Sequence, residues 1–289
     1  MTKTVQQVQY LLRLLSNPKL YELVNNPFAD PVKLDSLLST VCYGSLFVSE
    51  LIKRRPELAS LLSKLVQKLQ LTSVLSVIRV YLAKLKQLVP EKHYVCAKQA
   101  FVGSLDPLAA KLRLLSDYIA DVRIFNRMWG LPALLAFGIE EIKQTWTSDR
   151  RLVTKLLEIT DTVAIVGYQP FENIGFAAEH GWTNHGSSAA LWYYVVSSRM
   201  WAVFVALEVF KLSKTMVQLK RSGQPLNLLS NRELNRPLIS NLANLPLTVH
   251  WSLPEGCLSD LTVGFLGMLS TVFDTMDTFK EVAAQAQAL

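Results

Sequence analysis

Charged residues and paired cysteines are scarce in this chain. Only 18% of its 289 residues are charged and 50% are hydrophobic, whereas an ordinary soluble domain carries about 25% charged residues. The three cysteines, Cys42, Cys96 and Cys257, are far apart and form no CxxC pair. An odd number of distant cysteines argues against a disulfide framework and favours a reducing compartment. The low share of charge indicates a membrane-associated protein.

Motifs of catalysis are absent as well. We find no GxSxG, no P-loop, no GxGxxG after a strand and no HExxH. The best group of metal-binding residue types is Glu172, Glu179, His180 and His185, but the neighbours Glu179 and His180 point to different faces of a helix. The sequence therefore predicts a protein that is not an enzyme, without catalytic residues, cofactor or metal ion.

A long hydrophobic run without charge is also missing. Residues 189–207 are the most apolar stretch, but Arg199 lies near its middle, and an arginine there costs roughly 2.5 to 3.5 kcal/mol on insertion. We expect this helix to be lined by protein within the membrane or partly buried at its surface. Residues 261–273 are too short to span a bilayer unaided. Their Gly264 and Gly267 permit close approach of another helix.

Helical periodicity dominates the rest of the chain and predicts an all-α fold. We interpret residues 1–289 as a single domain, a membrane-associated helical bundle. Its N-terminal half, residues 1–127, holds basic amphipathic helices, and residues 128–289 hold short hydrophobic helices, with a loop near 221–235. Turn signals also occur at residues 25–31, 90–93, 103–107, 147–149 and 181–187, and around Pro246 and Pro254.

The positive charge is concentrated in one segment. Residues 51–90 carry eight cations and one anion, which equals the net charge of +7 of the whole chain. On a helical wheel this segment shows two apolar stripes that differ in phase by roughly half a turn, so we predict a break at Thr72 and Ser73. The first stripe is formed by Leu58, Leu61, Leu62, Leu65 and Leu69. The cations predicted to reach lipid headgroups are Lys64, Lys68, Arg79 and Lys86.

These stripes allow two interpretations. Insertion of basic amphipathic helices at an anionic bilayer surface is one, and burial of both stripes in a helical bundle with a solvated basic face is the other. Nucleic acid is not an expected partner, because Tyr81 is the one aromatic residue of the segment and base stacking needs several.

Two blocks of sequence carry a family resemblance. The first is KLRLLSDYIADVRIFNRMWGL, residues 111–131, with Asp121, Arg123, Arg127 and Gly130. The second is YQPFENIGFAAEHGW, residues 168–182, followed by the helical stretch 187–211. The residues that match in this second part are Tyr168, Pro170, Glu172, Trp182, Ser198, Arg199 and Trp201. The chain resembles the peroxin-eleven family of peroxisomal membrane proteins, particularly its fungal gamma-like members.

The resemblance implies a helical protein of the peroxisomal membrane that promotes organelle elongation, proliferation and fission. It implies insertion of amphipathic helices into one leaflet, contact with anionic lipid headgroups and self-association into a homo-oligomer. Dynamin-related fission machinery is a further implied partner. The family also suggests an alternative, a small-solute channel of the same membrane, in which Arg199, Glu208 and Lys211 line a polar path. A soluble helical adaptor is the third hypothesis.

Block 168–182 itself is predicted to be a bend rather than an active site. Pro170 and the glycines favour a turn, and Phe171, Phe176 and Trp182 suit a membrane interface. Arg199 is expected to extend toward the headgroups or to pair with an acid of this block, Glu172 or Glu179.

Overall fold

A computed structural model describes residue 12 and residues 14–68, 91–222 and 232–287. These residues form eight helices and no strand. In chain order the helices are α1 (Pro18–Ala29), α2 (Pro31–Lys53), α3 (Arg55–Lys68), α4 (Glu91–Thr147), α5 (Leu152–Glu179), α6 (Ser187–Arg221), α7 (Arg232–Trp251) and α8 (Asp260–Ala286). The predicted all-α fold is confirmed.

Side-chain caps fix the starts of several helices. The Asp30 carboxylate accepts hydrogen bonds from the backbone N–H groups of Val32 and Lys33, and Pro31 occupies the first turn of α2, where no N–H is needed. Asn17 caps α1 and Ser259 caps α8 in the same way. These polar residues satisfy N–H groups that have no partner inside the helix.

Six of the helices close into a ring of antiparallel neighbours. Around it α2 packs on α4, α4 on α5, α5 on α6, α6 on α7, α7 on α8, and α8 returns to α2. Cross-helix contacts give the directions: Cys42 meets Ser116, Ser49 meets Ala109 and Ser197 meets Tyr168. The first and last helices of this ring are therefore joined by direct contact although they lie at opposite ends of the chain.

Large side chains fill the middle of the helical ring. Trp201 of α6 stacks on Trp251 of α7 with ring centroids 5.7 Å apart, and Trp251 lies 6.1 Å from the Tyr43 ring of α2. Leu46, Leu247 and Val263 form the buried apolar core beside them. Because these residues come from α2, α6, α7 and α8, burial of their surface holds the ring closed.

The predicted turns are confirmed at some positions and wrong at others. Helix α4 ends at Thr147, α5 ends at Glu179 and α6 starts at Ser187, as the turn signals at 147–149 and 181–187 predict. Prolines mislead elsewhere: Pro107 lies inside α4, Pro170 inside α5 and Pro246 inside α7. A proline costs a helix about 3 kcal/mol, and contacts along both sides of these long helices outweigh that local cost.

Residues 25–31 and 221–235 are predicted to be irregular, but helices in the structure cover part of both ranges. Helix α1 runs through Pro27 to Ala29, and Asp30 alone separates it from α2. Helix α6 extends to Arg221 and α7 starts at Arg232. The predicted break at Thr72 and Ser73 lies outside the described residues.

Residues 189–207 lie within α6. Within the described ranges we find no helix that combines the length and hydropathy of a membrane-spanning segment.

Two glycines let α8 approach α2 closely, as their spacing predicts. A methyl group added at Gly264 would lie 2.6 Å from the backbone nitrogen of Phe47 and 2.9 Å from its Cα. One added at Gly267 would overlap the Tyr43 ring. Since backbone atoms cannot move aside as a side chain does, the contact of α2 with α8 depends on the missing side chain of Gly264.

We therefore expect Gly264→Ala to destabilise the fold by about 1–3 kcal/mol through overpacking, although Ala is a better helix former by roughly 1 kcal/mol. Gly130→Ala is the control, because a methyl group at Gly130 meets nothing within 4 Å and should stabilise α4 slightly. The measurement is the free energy of unfolding from denaturant titration followed by circular dichroism. Equal changes in the two variants would contradict the close approach of α2 and α8.

Candidate functional site

The two sequence blocks that carry the family resemblance pack against each other. Block 111–131 lies in α4, and block 168–182 forms the end of α5 and the turn after it. The Arg127 guanidinium donates to both oxygens of the Glu172 carboxylate, at 3.0 and 2.7 Å. Phe125 and Trp182 meet edge to face with centroids 6.3 Å apart. Residues 45 positions apart in sequence are thus direct partners.

A third helix joins this pair. The Arg123 guanidinium donates to both oxygens of the Asp35 carboxylate of α2, at 3.0 and 3.1 Å. Arg127 lies 3.8 Å from the same carboxylate. We call Asp35, Arg123, Arg127 and Glu172 the charged cluster. It links α2, α4 and α5 through two bidentate arginine pairs, the geometry that gives an ion pair its strongest hydrogen bonds.

Burial sharpens the electrostatics of the charged cluster. The side chains of Arg123 and Glu172 are only 12% and 15% exposed. Burial would raise the pKa of the Asp35 carboxyl, but the Arg123 and Arg127 guanidinium groups outweigh it and hold that pKa below its ordinary value. Burial lowers the pKa of the Arg127 guanidinium, but the neighbouring Glu172 carboxylate raises it by more. The pKa of Arg127 is therefore above its ordinary value. Asp35, Arg123 and Arg127 are therefore held in their charged forms.

Neutral groups complete the surroundings. The Arg123 guanidinium lies 5.6 Å from the centroid of the Tyr43 ring, within reach of a cation–π contact. Gln169 donates to the backbone carbonyl of Arg127. Burial raises the pKa of the Tyr43 and Tyr168 hydroxyls, so both stay protonated near neutral pH. The geometry of the charged cluster is that of a joint between helices.

Arg199 has a different partner from the expected one. Its guanidinium Nε donates to the backbone carbonyl of Ser252, at 3.3 Å, where the chain leaves α7. Glu172 belongs to Arg127, and the Glu179 carboxylate accepts from the hydroxyl of Tyr194 at 2.6 Å. The expected pairing of Arg199 with either acid is therefore wrong, because closer donors on α4 and α6 occupy both carboxylates.

The aromatic residues of block 168–182 divide between core and surface. Phe176 is buried, 3% exposed, and lies beneath Trp182, which is 56% exposed. His180 stacks on Phe176 and lies 3.8 Å from Asp121. The prediction of an interfacial position for Phe176 is thus wrong, because this ring is buried against His180 and Trp182. Within the described ranges no group of histidine, cysteine and acidic side chains is arranged to hold a metal ion.

The predicted membrane-binding residues lie mainly in α3. Leu58 is half-buried, and Leu61 and Lys64 are exposed, Leu61 by 61%. Leu62, Leu65 and Lys68 belong to the same helix. Leu69, Arg79 and Lys86 lie outside the described residues.

Helix α3 is attached to the helical ring at its first turn. Arg55 donates to both oxygens of the Asp106 carboxylate of α4, at 2.6 and 3.0 Å. The buried Glu50 at the end of α2 accepts from Lys53 at 2.8 Å and lies 3.5 Å from Arg54. Among the described helices, α3 packs mainly on the end of α2. Its later turns therefore extend away from the core.

Comparison with known proteins gives one similar chain. No protein-family model and no solved structure matches this sequence. A protein of Schizosaccharomyces pombe (strain 972), named Uncharacterized protein C1F12.04c, is 26% identical over 177 residues, which cover 60% of this chain and 80% of the relative. That name states no activity, so the functional argument depends on the residues themselves.

The charged cluster predicts a strong dependence of stability on pairing. Glu172→Ala leaves Arg127 buried without its partner and should lower the free energy of unfolding by about 3–5 kcal/mol. Glu172→Leu combined with Arg127→Met removes both charges and should cost less than either single change. Arg150→Ala, which removes an exposed ion pair with Glu158, is the control and should change stability little. Denaturant titration measures these three variants and the single changes Glu172→Leu and Arg127→Met, and additive losses in the double variant would contradict the pairing.

Asp35 predicts a specific acid sensitivity. Because its pKa is lower in the folded protein than in the unfolded chain, the stability it contributes is complete above its ordinary value near 3.8 and is lost as the pH falls below that value. Asp35→Asn should therefore reduce stability at pH 7 and lessen the loss between pH 5 and pH 2. Unfolding free energies of both proteins across this range test it. Parallel pH profiles would show that Asp35 is not stabilised by the two arginines.

Proposed function

We propose that this chain is a peroxisomal membrane protein of the peroxin-eleven type that elongates the organelle membrane and promotes its proliferation and fission. In this proposal α3 inserts into one leaflet as a wedge, and the helical ring supplies a rigid body from which α3 projects. Self-association of many copies turns the local strain into a tubule. The observation that carries the proposal is the position of α3 outside the helical ring.

Exposure of α3 favours lipid contact over burial in the bundle. A stripe that packed in the bundle would bury Leu61, but this side chain is 61% exposed. Ala59, Ser60, Ser63 and Lys64 are exposed as well. An exposed leucine on a basic helix is typical of helices that lie at a bilayer surface.

The energies are sufficient for reversible binding. Full burial of a leucine side chain contributes about 1.5–3 kcal/mol, and five leucines of the first stripe buried in part contribute several. Each cation near an anionic leaflet adds about 1 kcal/mol; Lys64 is exposed on this helix and Lys68 is its last residue. Area taken up in one leaflet by such a helix favours positive curvature, the direction that elongation requires.

Apolar surfaces outside α3 support membrane residence independently of the wedge. Exposed large apolar side chains occur on α5 and α6: Leu152, Val153, Leu156, Val163, Trp192, Val203, Phe210 and Val217. Extended exposed apolar surface indicates contact with a membrane or a partner. On this basis α3 bends the membrane while other helices keep the protein there.

Dynamin-related fission machinery and anionic lipids remain the partners implied by the resemblance. For the alternative, a small-solute channel, no contact among the described residues joins Arg199 with Glu208 or Lys211 in a shared polar path. Lys211 pairs with Asp161 at 2.7 Å and with Glu208, whereas Arg199 bonds Ser252 at the end of α7. We therefore propose the membrane-shaping function alone.

Changing Leu61, Leu65 and Leu69 to Ser should abolish peroxisome elongation, because the wedge loses its apolar face, while the protein stays in the membrane fraction. The matched control changes Ser60, Ser63 and Gln67 to Asn, which alters the opposite face of the same helix. Both variants are tagged and expressed in a deletion strain. The measurements are peroxisome length and number, with alkaline carbonate extraction of the same cells. Normal elongation by the triple Ser variant would refute the wedge, and a diffuse cytosolic signal of the unaltered protein would refute the proposed function.

A further inference from the structure

Helix α4 carries an apolar face on which no other described helix packs along its length; Trp182, in the turn after α5, contacts it at Phe125. Seven large side chains recur along it at helical spacings and are 40–75% exposed. We call them the α4 stripe: Leu114, Tyr118, Phe125, Trp129, Leu135, Ile139 and Trp146. Five of the six steps between successive members are four or seven residues, the spacing of a seam between two paired helices.

The α4 stripe faces away from the helical ring. Ser116 and Arg123 contact α2, and Arg127 and Gly138 contact α5. At about 100° per residue these four positions cluster on the side of α4 opposite to the stripe. One copy of the chain therefore leaves this face without a partner helix in the described structure.

The size of the α4 stripe fits a protein interface. From Leu114 to Trp146 it extends about 48 Å at 1.5 Å per residue. With aromatic side chains of about 150–250 Å² each, the exposed fractions give an apolar surface on the order of 800 Å². A stable interface needs about 800 Å² from each partner. A second copy of the same stripe would supply the matching half.

Two charges on the same face make it self-complementary. Asp121 and Lys143 are exposed and lie on the side of the stripe, eleven residues before and after Pro132. An antiparallel pair with its two-fold axis at Pro132 sets Asp121 of one copy opposite Lys143 of the other. The same register sets Tyr118 opposite Trp146, Phe125 opposite Ile139, and Trp129 opposite Leu135. Attraction between the opposed charges then occurs twice in each pair.

We propose that the α4 stripe is the self-association surface of this protein, and that two copies pair through it in antiparallel fashion about Pro132. This inference rests on the proposed function, which requires self-association but does not say where it occurs. Lipid is the competing occupant, and Asp121 and Lys143 argue against it, because charges facing hydrocarbon are costly. Among the described residues, His180 Nε2 lies 3.8 Å from the Asp121 carboxylate, and in the antiparallel pair Lys143 of the second copy adds a cation on the exposed side.

Charge reversal tests the register. Asp121→Lys sets two cations opposite each other at both ends of the pair, so the dissociation constant of the dimer should rise about tenfold or more, as a change of 1.4 kcal/mol gives. Lys143→Asp should have a similar effect. The double variant restores both attractions and should return within about threefold of the original value. The measurement is the molar mass of the full chain in mild detergent across a concentration series, with thermal unfolding confirming that each variant is folded.

Cross-linking tests the axis. In a Cys96→Ser and Cys257→Ser background, Pro132→Cys lies at the two-fold axis and should form an intermolecular disulfide with its own copy on mild oxidation. Gly130→Cys is the matched control, since it is exposed and points to the opposite side of α4, about 200° away. It should cross-link at least tenfold more slowly. The experiment is repeated with the protein on vesicles of phosphatidylcholine and phosphatidylserine.

Three outcomes overturn the inference. If both charge reversals leave the dissociation constant of the dimer unchanged and Pro132→Cys forms no cross-link, the interface lies elsewhere. Self-association as part of the proposed function then stands. A protein that is monomeric in detergent and on vesicles removes the interface and self-association together. A monomer on vesicles in which Pro132→Cys is protected from a water-soluble maleimide means that lipid covers the α4 stripe.

Discussion

The arginine pairs of the charged cluster hold together helices that are far apart in sequence. Arg123 binds Asp35 of α2 and Arg127 binds Glu172 of α5, one turn apart on α4. A neutral apolar contact at this point would permit small rotations of the helices, whereas two bidentate pairs fix the angle and height of each helix. The packing angle of α4 between α2 and α5 therefore depends on four charged side chains.

Only part of this arrangement could be read from the sequence. Local properties were predictable. The 3.6-residue period of apolar residues predicted the helices, and Gly264 and Gly267 predicted a close contact between two helices, which the structure confirms. Arg123, Arg127 and Glu172 stood out through the family resemblance. Asp35 did not, because it is a single acid 88 residues from its partner Arg123, and no local pattern marks such a contact. The contact of Tyr43 with Arg123 was not predicted for the same reason.

The largest errors of the sequence-based predictions were turns expected at prolines that in fact lie inside helices. These errors share one physical cause. Pro107, Pro170 and Pro246 each remove a single backbone hydrogen bond, while the helices that contain them make contacts over many turns with their neighbours in the ring. Sequence reasoning weighs the local cost and cannot see the contacts that offset it. The same limitation misassigned Arg199, whose partner Ser252 is set by the meeting of α6 and α7.

In the proposed function the helical ring is the anchor, and α3 is the helix that projects from it into the bilayer. A wedge bends a bilayer only if its depth and direction are held against the reaction of the lipid, so α3 needs an anchor that does not yield. Arg55 ties its first turn to Asp106 of α4, and α4 in turn is fixed by the charged cluster. If two copies pair along the α4 stripe, the two α3 helices lie at opposite ends of an antiparallel pair, and their strains add along one axis. That geometry favours a tubule over a sphere, because curvature is imposed along a line.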